Sequence, residues 1–215
     1  KAGLGKTLLD RLMHLPDGVV LLDTQYRMHE QIMTFSNERF YQKQLKAHES
    51  VAKRSWHISQ PVVQWIDTAG CGFEETAGEA GDSKMNAEEW NIIRSHMERW
   101  GIEDIANFAV ISPYRAQVEY IEEACKGMTN VRVDTIDSFQ GQESDVVYIS
   151  LVRSNDRQEV GFLKDYRRMN VALTRARMGL FIVGDSATLA NDSFFNQLLN
   201  TIENQGGYCS AWEYL

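Results

Sequence analysis

Cysteine is scarce. Three residues in 215, Cys71, Cys125 and Cys209, are odd in number and far apart, and no Cys-x-x-Cys pair exists, which excludes a disulfide framework and a zinc site of that kind. Such thiols predict a reducing compartment, cytoplasmic or nuclear. No apolar run approaches the roughly 20 residues a helix needs to cross a bilayer, and no signal peptide is visible, so no membrane association is expected. Positive charge is also short: 22 Lys and Arg against 30 Asp and Glu leave a net charge of −8. That excludes a protein that coats nucleic acid over its whole surface, but it leaves room for a local basic channel. Internal repeats and low-complexity tracts are missing, and His14, His48, His57 and His96 have no partners at metal-ligand spacing. The lysine start, without a methionine, predicts a piece cut from a longer protein.

What is present is 43% hydrophobic and 24% charged, enough for one large domain or one domain plus an insertion. The opening KAGLGKTLLD holds Gly5-Lys6-Thr7, the tail of a phosphate-binding loop. That loop needs Gly-x-x-x-x-Gly-Lys-Ser/Thr after a buried strand. Here the first glycine would fall before Lys1 and no strand precedes it. Leu4, Leu8, Leu9, Leu12 and Met13 recur at helical spacing, so residues 1–16 read as an amphipathic helix.

Further on, VVLLD (19–23), VVQWID (62–67), FAVIS (108–112), VRVDT (131–135), VVYISLV (146–152) and GLFIVGD (179–185) read as strands. Helices are expected over 29–41, from Asn86 through Trp100, from about Pro113, over 165–176 and over 194–203. Asn86 predicts an N-cap with Glu89 as its capping-box partner. Residues 68–85 read as an acidic, flexible, solvated loop, with six acids and one lysine from Glu74 to Glu89. Val/Ile/Leu-rich strands alternating with helices predict an α/β fold, a parallel sheet with helices on both faces.

In such sheets ligands are expected at the carboxyl ends of the strands. The strings TQYRMH, PYRAQ, IDSFQGQES and YRRMNVALTRAR all flank predicted strands. Together, QYRMH, ISPYRAQ, VDTIDSFQGQESDVVYISLVRSN and RRMNVALTRARMGLFIVGD resemble motifs IV, IVa, V and VI of superfamily 1 helicases of the upframeshift and senataxin group, in the family's order, over about residues 2–186. GLGKTLLDRL resembles the helix ahead of motif IV. The resemblance implies a RecA-like C-terminal motor domain filling residues 1–215, half of an ATP-dependent helicase that steps 5′ to 3′ on single-stranded DNA or RNA. The other half is implied to be an N-terminal RecA-like domain of the same protein, with the Walker loop and an Asp-Glu pair for Mg2+. No Asp-Glu-Ala-x string occurs here, so ATP with Mg2+ would be held mainly by that other domain. The isolated domain is expected to be inactive, and the protein monomeric.

Carried over residue by residue, the resemblance makes Arg175 the finger on the γ-phosphate, joined by Arg27. A guanidinium suits this because it stays charged and offers a planar donor fork, and phosphoryl transfer is mostly positioning and charge neutralisation. Tyr26 would stack on adenine, Gln25 and Gly141 would line the nucleotide, and Glu143 would accept from the ribose. Gln140 would couple the nucleotide cleft to the nucleic-acid groove. Ser112, Pro113, Tyr114 and Arg115 of motif IVa and Thr135 of motif V would meet nucleic acid on the far side of the sheet edge from ATP.

Residue type alone leaves alternatives open: surface salt bridges for the arginines, a core tyrosine, an exposed glutamate, and a Ser-Pro pair that merely starts a helix. From Lys164 to Arg177 five basic residues meet one acid. Arg168 and Arg175, seven apart, would share a helix face, with Arg167, Asn170 and Thr174 on a neighbouring one. His29 is expected to cap or brace the QYRMH loop. The competing function is a degenerate, non-catalytic docking module for protein or RNA, whose signature would be replacement of Arg27, Glu143 or Arg175; all three are present.

Overall fold

A computed structural model of the chain describes residues 20–215, apart from 79, 80, 82, 105 and 106. The predicted helix over 1–16, with Gly5-Lys6-Thr7, lies outside the described residues. The elements run β1 (Thr24–Gln25), α1 (Glu30–Phe40), β2 (Lys46–Ala47), α2 (Glu49–Ala52), β3 (Val63–Asp67), β4 (Thr76–Ala77), β5 (Lys84–Met85) and α3 (Ala87–Trp100). They continue with β6 (Phe108–Ser112), α4 (Arg115–Ala124), β7 (Val131–Thr135), β8 (Ser144–Ser150), α5 (Tyr166–Leu173), β9 (Ala176–Gly184), α6 (Ser186–Leu189), α7 (Ser193–Asn204) and β10 (Tyr208–Ser210). Six strands form one sheet in the order β10-β3-β9-β8-β6-β7, every pairing parallel.

The strands read as near-continuous apolar runs because alternate residues serve opposite faces. Ala109, Ile111, Val147, Ile149, Leu180 and Ile182 pack with α1, α5 and α7, whereas Phe108, Val110, Val146, Tyr148, Phe181 and Val183 pack with α3 and Ile121 of α4. The predicted α/β class, with helices on both faces of a parallel sheet, is the observed one.

Three local expectations change. The described part of VVLLD, residues 20–23, is not a buried strand: Val20 and Leu22 are 84% and 85% exposed, and strand pairing begins only at Thr24, against β2 in a separate two-stranded sheet. An apolar run alone does not say which surface covers it. Asn86 does stand at the N-cap of α3, but its side chain makes no capping bond. Glu89 turns inward, fully buried, where its carboxyl accepts from the Val152 N–H at 2.9 Å and from the Ser150 hydroxyl at 2.5 Å. The reason is backbone geometry: Val152 adopts φ 69°, which takes its N–H out of the strand ladder and leaves it to a side-chain acceptor. The acidic stretch is partly ordered too. β4 and β5 pair antiparallel, and Glu75 buries its carboxylate against Arg153 at 2.7 Å.

Candidate functional site

Three segments meet at the amino ends of β8 and β9. Gln25 organises the first: its Oε1 accepts from the N–H groups of Arg27 (2.8 Å) and Met28 (2.9 Å), and its Nε2 donates to the Met28 carbonyl (2.8 Å). Its side chain thus closes the turn that aims Arg27. His29 caps α1, its Nδ1 accepting from the Gln31 N–H at 3.0 Å, while its own N–H donates to the Arg177 carbonyl at 2.9 Å and pins the turn to the start of β9. Burial lowers the pKa of this imidazole, in keeping with a ring nitrogen that accepts.

Arg27 so placed puts Nε 2.6 Å from a Glu143 carboxylate oxygen and Nη1 3.1 Å from the Thr174 carbonyl. Arg175 lies in the short link between α5 and β9, because α5 stops at Leu173, earlier than the predicted 176. It is half-buried and donates to the carbonyls of Val171 (2.8 Å) and Gln142 (3.1 Å) and to the Thr174 hydroxyl (3.3 Å). Burial first, and then the neighbouring Arg27 charge, push its pKa below the usual guanidinium value, with Glu143 and Tyr41 pulling the other way. Arg27 thus takes the carboxylate while Arg175 beside it is held only by neutral oxygens, an arrangement that favours an incoming anion.

Tyr26 is 64% exposed, and its ring stacks on His48 with centroids 4.4 Å apart. The β1–β2 pairing brings them together: the His48 N–H donates to the Gln25 carbonyl at 3.0 Å, and its Nδ1 accepts from the Ser50 N–H, capping α2. Gly141, at φ 83°, takes the left-handed turn that delivers the chain to Glu143; Gln140 beside it is exposed.

The remaining predicted residues stand at the opposite, carboxyl edge. Ser112 ends β6, is 1% exposed, and donates to the Ser150 carbonyl at 3.1 Å. Tyr114 is 2% exposed. Pro113 and Thr135 line a small hollow with Asp137, Phe162, Asp165 and Arg168. The Thr135 hydroxyl donates to that of Ser138 at 3.0 Å, and Arg115 is exposed with Nε 2.7 Å from Glu119. The expectation that site residues gather at the carboxyl ends is thus corrected for Arg27, Glu143 and Arg175. The cause is the connection: residues 136–143 leave the carboxyl end of β7 and enter the amino end of β8, and α5 runs back across the same face. Arg168 binds Asp137 at one end of this double crossing and Arg175 binds the Gln142 carbonyl at the other; because α5 ends at Leu173, the two do not share a helix face as expected.

Two residues escaped the sequence reading. Arg177 reaches Glu143 at 3.5 Å and Asp145 at 3.1 Å, giving the carboxylate a second cation. It belongs to the basic stretch, and its short distance from Arg175 was the available signal. His48 carried none, being tied to Tyr26 only through β2. A cavity of about 710 Å3 at the carboxyl ends of β8 and β9 holds none of the predicted site residues; its lining counts five acids against three bases, poor company for phosphate.

A family model described as an AAA domain matches residues 4–187. DNA-binding protein SMUBP-2 of Mesocricetus auratus is 36% identical over 229 residues, covering 100% of this chain and 23% of its own length. DNA polymerase alpha-associated DNA helicase A of Saccharomyces cerevisiae is 39% identical over 211 residues, covering 86% of this chain and 31% of its own. Regulator of nonsense transcripts 1 homolog of Drosophila melanogaster is 34% identical over 215 residues, 93% and 18%.

The chain belongs to the superfamily 1 helicases of the upframeshift and senataxin group. It is a helicase-type motor domain, and it spans less than a third of the length of each of these relatives. The amino edge carries the strings around Arg27 and Arg175 that resemble motifs IV and VI, and the string that resembles motif V crosses between the two edges. Among the described residues no helix is long and apolar enough to cross a membrane, and no group of three His, Cys, Asp or Glu side chains could hold a metal ion.

Proposed function

We propose that residues 1–215 form the C-terminal motor domain of an ATP-driven single-strand translocase and supply the arginine wall of its nucleotide cleft. The reading is carried by the convergence of Arg27, Arg175 and Glu143 at one edge of the sheet. Arg175 is held by three neutral oxygens and has no ion pair among the described residues, so its charge is oriented yet uncompensated. Arg27 releases a partly exposed partner at little cost, since such pairs are worth ~1 kcal/mol or less. Tyr26 offers an open aromatic face for a purine, and Glu143 accepts from sugar hydroxyls. ATP, when bound, supplies the phosphoryl group whose transfer to water these cations stabilise. Magnesium would take its ligands from the N-terminal motor domain.

Single-stranded DNA or RNA would run along the carboxyl edge, past Pro113, Arg115 and Thr135, with 5′ to 3′ stepping. Ser112 and Tyr114 are buried there, so they act as supports in this reading. Gln140, on the crossing segment, would relay closure between the edges. The domain works as part of a monomer in the cytoplasm or nucleus.

The test is ATP hydrolysis by the full-length protein in the presence of single strands. Arg175→Ala should lower kcat on the order of 10³- to 10⁵-fold, with nucleotide affinity falling far less. Unchanged turnover would reject the finger role.

A further inference from the structure

The aromatic that motif IVa offers to a base is not at the surface. Tyr114 is 2% exposed, and its hydroxyl meets Arg153 Nη1 at 3.4 Å. The exposed ring at this edge is Phe162, 65% exposed, with its centroid 6.0 Å from that of Tyr114. We propose that Phe162 is a base-stacking platform on the single-strand path, with Lys164 and Arg167 taking the flanking phosphates and Tyr114 acting as a positioning residue beneath it. This rests on the proposed single-strand path along the carboxyl edge.

Phe162 projects from a turn that is firmly built. Val160 and Leu163 on either side of it are 3% and 0% exposed. The Leu163 N–H donates to the Val160 carbonyl and the Asp165 N–H to the Phe162 carbonyl, both at 3.2 Å. Gly161 adopts φ 55°, and a Cβ there would come within 2.0 Å of Arg153 Nη1 and 3.0 Å of the Tyr114 hydroxyl. The turn is therefore pressed onto the Tyr114–Arg153 pair, and Arg153 is anchored in turn by Glu75 at 2.7 Å. An exposed phenyl ring at the tip of a rigid, buried framework leaves apolar area in water without local compensation, and a stacking ligand would recover it.

The surroundings specify the ligand. Phe162 borders the hollow it shares with Pro113 and Thr135. At about 20 Å3 that hollow has room for little more than a water, so a base would lie against the ring and not insert below it. The nearby carboxylates are engaged: Asp137 pairs with Arg168, and Asp165 caps α5 by accepting from the Arg168 N–H at 3.3 Å. Lys164 and Arg167 are exposed and form no ion pair among the described residues. An open ring flanked by two uncommitted cations, in a chain of net charge −8, fits one nucleotide of a single strand, and stacking accepts any base.

The experiment measures binding of the full-length protein to labelled oligothymidine and to an abasic strand of equal length at one salt concentration. Phe162→Ala should weaken oligothymidine binding about 5- to 150-fold and leave the abasic strand unaffected. Phe162→Trp should bind as the parent does, whereas Phe162→Leu, which keeps bulk without a π-face, should behave like the alanine variant. Equal losses on both strands, or no loss on oligothymidine, overturn the platform while leaving the proposed path standing. A parent protein that binds neither strand overturns both.

Discussion

Arg27 and Glu143 touch at 2.6 Å, although one is proposed to meet a phosphate and the other a ribose. Both are partly exposed, so the contact is cheap to open, and Arg177 keeps a second hold on Glu143 at 3.5 Å when Arg27 leaves. The other residue-scale device is the His48 ring behind Tyr26. It fixes the plane against which a purine would lie and spares the tyrosine the cost of ordering on binding. Aromatic pairs of this kind are worth ~0.5–1.5 kcal/mol. His48→Ala should therefore raise KM for ATP about 2- to 12-fold with kcat unchanged, and His48→Phe should restore it. Steady-state ATPase kinetics decide the matter: a drop in kcat at constant KM would assign His48 some other role.

Among the elements, α3 and β8 are joined by Glu89, whose carboxyl is pushed up to about 8 by burial, against the pull of its bonds to Ser150 and Val152. The free carboxyl titrates near 4.5, so between pH 4.5 and 8 the folded state keeps a proton that the unfolded chain has lost. This contribution is complete below the lower value and disappears as pH rises through the upper one. His96 works in the opposite direction: burial lowers it to about 3 from 6.5, and stability is lost as pH falls between those values. Glu89→Gln should flatten the decline in urea midpoint between pH 5 and 8 while preserving the acid limb below 6.5. An unchanged slope on the alkaline side would show that Glu89 does not titrate across that range.

The same pair of elements shows what was legible in the sequence. FAVIS was readable as a strand because a parallel strand covered on both faces needs an unbroken apolar run, and VRVDT because its valines alternate with polar residues, as suits a half-covered edge strand. Glu89 looked like a capping partner because the motif encodes local spacing, whereas the φ of Val152 that recruits it is a tertiary fact. The β1–β2 pairing joins two-residue strands some 20 residues apart, too short for any periodicity to register. Motif matching put Tyr26 and Tyr114 on equal terms; only packing shows one ring open and the other covered.

At the scale of the whole molecule, one layer of chain connects the two edges of the sheet that are proposed to work. The residues proposed to meet nucleotide stand at the amino ends of β8 and β9, and those proposed to meet a single strand at the carboxyl ends of β6 and β7. The segment 136–143 and α5 cross between them side by side, bonded at both ends, the contacts through which the proposed relay between the edges would run. The central claim is that Arg27 and Arg175 face a triphosphate presented by the neighbouring motor domain. It is tested most directly by a structure of the full-length protein with ADP, aluminium fluoride in the γ-phosphate position and a bound single strand. The account predicts both guanidinium groups at about 3 Å from the fluorides, with the Glu143 carboxylate on the ribose. Nucleotide bound with Arg27 still on Glu143, and Arg175 still turned to the Gln142 carbonyl away from the fluorides, would contradict it.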